Sequence, residues 1–160
     1  MATTRAEEVI QQLLDRTRRS QEAWINGQID DSIFAHDTAI TLMNPFGGYS
    51  RPGYRSVRSL QERAISHFES GTDASIEVVQ AIVSNNIACL VTIERSMVKF
   101  KGRDTPLPWI LRVTEVYQRR GAEWQRVHRH ADPLIHQISI DEILSLLDPR
   151  RGDARQRSDT

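Results

Sequence analysis

The chain of 160 residues has a single cysteine, Cys89, so no internal disulfide can form, which fits a reducing compartment. That cysteine sits in the apolar run from Ile87 to Val91, where a thiol acts as a small buried hydrophobe rather than an activated nucleophile. Long apolar runs are missing as well. None approaches the roughly 18 residues a membrane-spanning helix needs, and residues 1–8 lack an apolar signal core. Net charge is absent, since 21 basic residues balance 21 acidic ones, so no whole-chain field draws the protein to nucleic acid or anionic lipid. The expectation is a soluble cytoplasmic protein with neither nucleic-acid nor membrane partners. Gly47-Gly48 lacks the strand-to-helix spacing of a phosphate loop, and no Ser-His-Asp or Cys-His order can be defended.

What is present divides into a helical first half and a strand-rich second half. Thr4 and Glu7 have the spacing of a capping box, and Val9, Ile10, Leu13, Leu14, Thr17 and Trp24 recur at helical spacing up to Gly27. A short second helix is expected over 30–36, a strand over 38–43, and a loop at 44–48, where Pro45 and two glycines end any ladder. Pro52 suits the start of a third helix whose stripe is Val57, Leu60, Ala64 and Phe68. From Ala74 onward β-branched residues become dense, and strands are expected over 75–84 and 87–100. Ser139 and Glu142 cap a short terminal helix with an apolar edge of Ile140, Ile143, Leu144 and Leu147, an edge that needs a partner surface. Helices followed by a meander define an α+β class with an antiparallel sheet and three N-terminal helices on one face. One domain is expected over 1–148, with residues 149–160 as a disordered tail.

The densest stretch of ionisable groups is the hairpin 109–133, which turns around Arg120-Gly121-Ala122. Strand alternation puts Trp109, Leu111, Val113, Glu115 and Tyr117 on one face of its first arm. The same rule puts Trp124, Arg126, His128 and His130 on one face of the second arm.

This element order, with the segment Ala88 to Glu94 and the run Thr114 to His130 containing Trp124-Gln-Arg-Val-His-Arg-His130, resembles the SnoaL-like branch of the nuclear transport factor two-like superfamily. It is similar to bacterial relatives of the calcium/calmodulin-dependent kinase association domain. The resemblance spans 5–134 and implies a cone-shaped curved sheet, a cystatin-like roll. The fold hosts isomerases, dehydratases, hydrolases, cyclases and assembly modules, so it names no activity. Where ketosteroid isomerases of this superfamily carry a catalytic aspartate before a proline, this chain has Asn44-Pro45, and asparagine cannot take up a proton. Their tyrosine on the first helix falls near Gln21. The pocket arginines of the kinase association domain fall at Glu94 and Glu115, which turns an anion pocket into one for cations or acid-base work.

Each glutamate interrupts an apolar strand, and a buried glutamate needs a partner or a functional cavity. Either Glu94 and Glu115 face into the cone, or they point outward and pair with Arg95, Arg112 or Arg126. For His128 and His130, one imidazole fixes the pocket wall and the other acts as donor or base near neutral pH, or both are structural. No Glu or Cys stands at metal spacing beside them, so neither a metal nor a cofactor is expected. The expected catalytic set is Glu94, Glu115 and His128, with Trp24, Asn44, Tyr54, Trp109, Tyr117 and His130 lining the pocket. Two functions follow. One is a cofactor-independent isomerase, dehydratase or cyclase moving a proton on a small apolar molecule, as a homodimer; the other is a non-catalytic homo-oligomerisation or ligand-binding module.

Overall fold

The computed structural model describes residues 4–36 and 40–148. Helix α1 spans Arg5–Ile25, opened by the full capping box between Thr4 and Glu7. Strand β1 is Thr41–Met43 and helix α2 is Tyr54–Ile65. Four long strands follow, β2 Phe68–Val83, β3 Ile87–Phe100, β4 Leu107–Arg120 and β5 Glu123–Asp132, and then helix α3, Ile140–Leu147. The sheet order is β1-β5-β4-β3-β2, antiparallel except for the parallel β1–β5 pair. It is an open α+β roll, as the element order implies.

Three boundaries differ from the sequence reading. The second helix is a single 3-10 turn, Asp31–Ile33, because Asp30 caps it with a bond to the Ser32 N–H and the chain then extends at Phe34. The third helix starts at Tyr54 rather than Pro52, with Gly53 (φ 118°) in the capping position. It also ends at Ile65, so Phe68 belongs to β2, which begins seven residues earlier than expected. The first strand is described over Thr41–Met43; residues 38 and 39, and the tail 149–160, lie outside the described residues.

The inner face of the sheet builds the core. Ala88, Leu90, Tyr117 and Trp124 pack with Leu13 and Leu14 of α1 and with Ile33, Phe34, Ile40, Leu42 and Val57. A second cluster at the other end joins Ile25, Phe68 and Val98. Helix α1 crosses β2 closely enough there that a Cβ on Gly71 would lie 2.5 Å from the Ile25 side chain. Glycine at 71 is therefore a packing requirement. Gly71→Ala is expected to destabilise the fold by about 1–3 kcal/mol, the usual range for overpacking a filled core, as measured by urea denaturation. An unchanged midpoint would show that α1 is free to shift.

Candidate functional site

The alternation of β3 and β4 delivers both glutamates to the inner face. Glu94 is 3% exposed and Glu115 is fully enclosed. Neither is left as a free acid. The Arg129 fork donates to both Glu94 oxygens, 2.8 Å each, and its Nη1 also donates to Glu115 Oε1 at 2.7 Å. Arg126 Nη2 lies 2.5 Å from the same Glu115 oxygen. The other oxygen of Glu115 accepts from Thr17 Oγ1 of α1, 2.7 Å, and from the Tyr117 hydroxyl, 2.9 Å. Two carboxylates and two guanidiniums thus form a buried quartet without net charge.

Arg126 and Arg129 are three residues apart, a spacing that puts them on opposite faces of a regular strand. A β-bulge brings them together. The register shifts where Val116 opposes His128 and Tyr117 opposes Arg126, leaving Val127 as the extra residue. Beyond it Arg129 and Ala131 turn inward, opposite Glu115 and Val113. The same bulge corrects the expectation for the histidines. His128 and His130 do not share the inner face with Trp124 and Arg126; they pair in register with Val116 and Thr114 on the outer face. There His128 Nδ1 meets Thr41 Oγ1 at 2.8 Å, and burial, then His130, keeps its imidazole neutral to lower pH than usual.

Inside the quartet's outer rim lies a cavity of about 30 Å³. Its wall combines apolar Trp24, Ile25, Leu42, Pro45, Trp109 and Leu111 with polar Thr17, Ser20, Gln21, Asn44, Gln61, Glu94, Arg126 and Arg129. At roughly 10–15 Å³ per water, that space holds about two waters or the head of a larger molecule. Five of these residues carry a buried polar atom with no protein partner: Gln21 Oε1, Asn44 Nδ2, Gln61 Oε1, Trp109 Nε1 and Arg126 Nε. Such atoms cost about 1–3 kcal/mol each when left unpaired. An aromatic cluster flanks the cavity, with Phe46 of loop 44–48 stacked on Trp109 at 5.3 Å and Phe68 edge-on to it.

Of the residues expected from sequence, Glu94, Trp24, Asn44 and Trp109 line this cavity. Glu115 and Tyr117 lie behind it, and burial pushes the Tyr117 phenol well above its ordinary range, with Glu115 adding to that rise. Tyr54 is elsewhere, donating to Asp31 at 2.6 Å and stacked on His36. The cation-seeking pocket inferred from the two glutamates is corrected by the two arginines that neutralise them. Arg129 and Gln61 were not singled out from sequence, and Arg126 only as an outward partner; a run of basic residues on β5 opposite two inward glutamates was the available signal. Among the described residues no group of three or more His, Cys, Asp or Glu is placed to hold a metal.

Comparison by sequence finds no matching family model and no matching curated protein. Solved structures do match. A nuclear transport factor 2 (NTF2-like) superfamily protein from Salmonella enterica aligns at TM-score 0.65 and 13% identity, over 83% of this chain and 96% of its own. A ketosteroid isomerase-like protein from Erwinia carotovora aligns at TM-score 0.60 and 11% identity, over 80% and 94%. The association domain of the Caenorhabditis elegans calcium/calmodulin-dependent kinase II aligns at TM-score 0.57 and 12% identity, over 79% and 97%. The chain has the nuclear transport factor two-like fold.

Burial by itself raises the pKa of Glu115, but Arg126, Arg129 and the Thr17 bond outweigh it and hold the carboxyl below the usual carboxylate range. A carboxyl depressed in the folded state stabilises above its unfolded value and loses that stability as pH falls through its folded value. Wild-type unfolding free energy should therefore drop on acidification below about pH 4.3, and Glu115→Gln should flatten that drop. At pH 7 the variant is expected to lose about 3–5 kcal/mol, because a buried guanidinium loses its counter-charge. Equal pH slopes for the two proteins in chemical denaturation would contradict the assignment.

Proposed function

We propose that this is a cytoplasmic small-molecule-binding protein whose ligand enters beside loop 44–48 and puts its polar end into the cavity at the quartet. The observation that carries the reading is the set of five buried, unpartnered polar atoms on residues of one wall. A mostly apolar cleft with a few convergent polar groups is the usual form of such a site. Ligands larger than the present space require loop 44–48 to move, and Phe46, 49% exposed, is held there by ring contacts with Trp109, Phe68 and His67. If catalysis accompanies binding, it is cofactor-independent proton transfer of the isomerase, dehydratase or cyclase kind. Glu94 is then the acid in position, because it lines the cavity and Glu115 does not. Its oxygens keep a second lone pair beyond the Arg129 fork.

A thermal-shift screen of neutral organic fragments tests the binding reading. Fragments at 100 times Kd should stabilise the wild type by about 2.7 kcal/mol. Absence of any shift at saturating concentrations would overturn it.

A homodimer is the second reading, favoured by the uncovered outer face of the sheet. Val79 and Ile82 are 58% and 55% exposed there, beside the Arg95–Glu77 and Arg112–Asp132 ion pairs. Apolar area with balanced charge suits a self-complementary two-fold interface. Helix α3 separately exposes Ile140, Leu144 and Leu147. Light scattering at micromolar concentration should give twice the chain mass, and Val79→Glu with Ile82→Glu should halve it without changing the circular dichroism. A monomeric wild type would remove this reading.

A further inference from the structure

The unpartnered atoms on the cavity-lining residues differ in what they can bind, and for four of the five their role is fixed by the protein. Asn44 Oδ1 accepts from the Phe46 N–H at 3.0 Å, so its free Nδ2 is a donor. Gln21 Nε2 donates to the Arg95 carbonyl at 3.1 Å, so its free Oε1 is an acceptor. Trp109 Nε1 and Arg126 Nε can only donate. Arg126 Nη2 is committed to Glu115. Gln61 can rotate its amide to follow whatever lies beside it. These side chains are buried: Gln21 is 7% exposed, Asn44 4%, Gln61 3% and Arg126 2%.

Resting on the small-molecule reading above, we propose that the cavity selects an uncharged head group that accepts hydrogen bonds at a carbonyl oxygen and donates one from an adjacent N–H. Carboxamides, lactams and ureas have that pattern. Charge argues for neutrality. Glu94 and Glu115 are matched by Arg126 and Arg129, so the wall has no unbalanced charge to offer an ion. A carboxylate would set its oxygens against Gln21 Oε1, and an ammonium would meet three donors. A plain ketone satisfies the donors but leaves Gln21 Oε1 unpaired. The cavity of about 30 Å³ takes only such a head, and the apolar body lies toward Trp24 and Pro45.

Four probes of one shape separate the possibilities on the full chain at pH 7: benzamide, acetophenone, benzoate and benzylammonium, each titrated by tryptophan fluorescence and by thermal shift. Benzamide is expected to bind about tenfold or more tightly than either ion and about three- to tenfold more tightly than acetophenone, one neutral hydrogen bond being worth that ratio. Gln21→Met should bring benzamide and acetophenone to within about threefold while both still bind. Benzoate or benzylammonium binding as well as benzamide would overturn the head-group inference and leave the binding reading standing. So would an unchanged benzamide preference in Gln21→Met. Failure of all four probes together with a silent neutral-fragment screen would assign the cavity to ordered water and overturn both.

Discussion

A carboxylate or guanidinium taken out of water must meet an opposite charge, and four such groups share the inner wall of this sheet. Their mutual neutralisation is the constraint on which the other features rest. Glu94 and Glu115 arrive from neighbouring strands, and Arg126 and Arg129 both come from β5. A regular β5 would supply one arginine and expose the other, leaving at least one buried acid underpaired. The bulge at Val127 supplies both. Glu115 also ties the sheet to α1, because Thr17 donates to its carboxylate. Registry between helix and sheet is thereby fixed by charge as well as by apolar packing.

The quartet shapes the site as much as it stabilises the wall. With its charges balanced, the space beside it is polar without being an ion trap, and Glu115, which is fully enclosed, is withdrawn from chemistry. Of the two glutamates, Glu94 is the one that reaches both the quartet and the cavity. Trp109 joins this wall to the aromatic cluster of Phe46, Phe68 and Phe100.

Much of this was legible in the residues. Alternation along β3 and β4 is unbroken, so the inward placement of Glu94 and Glu115 follows from counting by two. The capping boxes at Thr4 and Ser139 open their helices as their spacing implies. β5 defeated the same counting, since a bulge adds a residue without any turn or glycine to announce it. His128 and His130 were assigned to the cone on a period that stops at Arg126. The short helix expected over 30–36 closes after one turn, Asp31–Ile33, because the chain is already extended at Phe34. The cavity's character depends on side chains from α1, α2, loop 44–48 and four strands, and no local pattern declares such a convergence.

A double-mutant cycle between Glu94 and Arg129 tests the central claim most directly. Glu94→Gln, Arg129→Met and the pair are compared with the wild type by urea denaturation at pH 7. The bidentate, buried geometry predicts a coupling of about 1.5–3 kcal/mol. A coupling within about 0.5 kcal/mol of zero, the value for independent sites, would mean that Arg129 does not turn inward at the bulge, and the neutral wall would go with it.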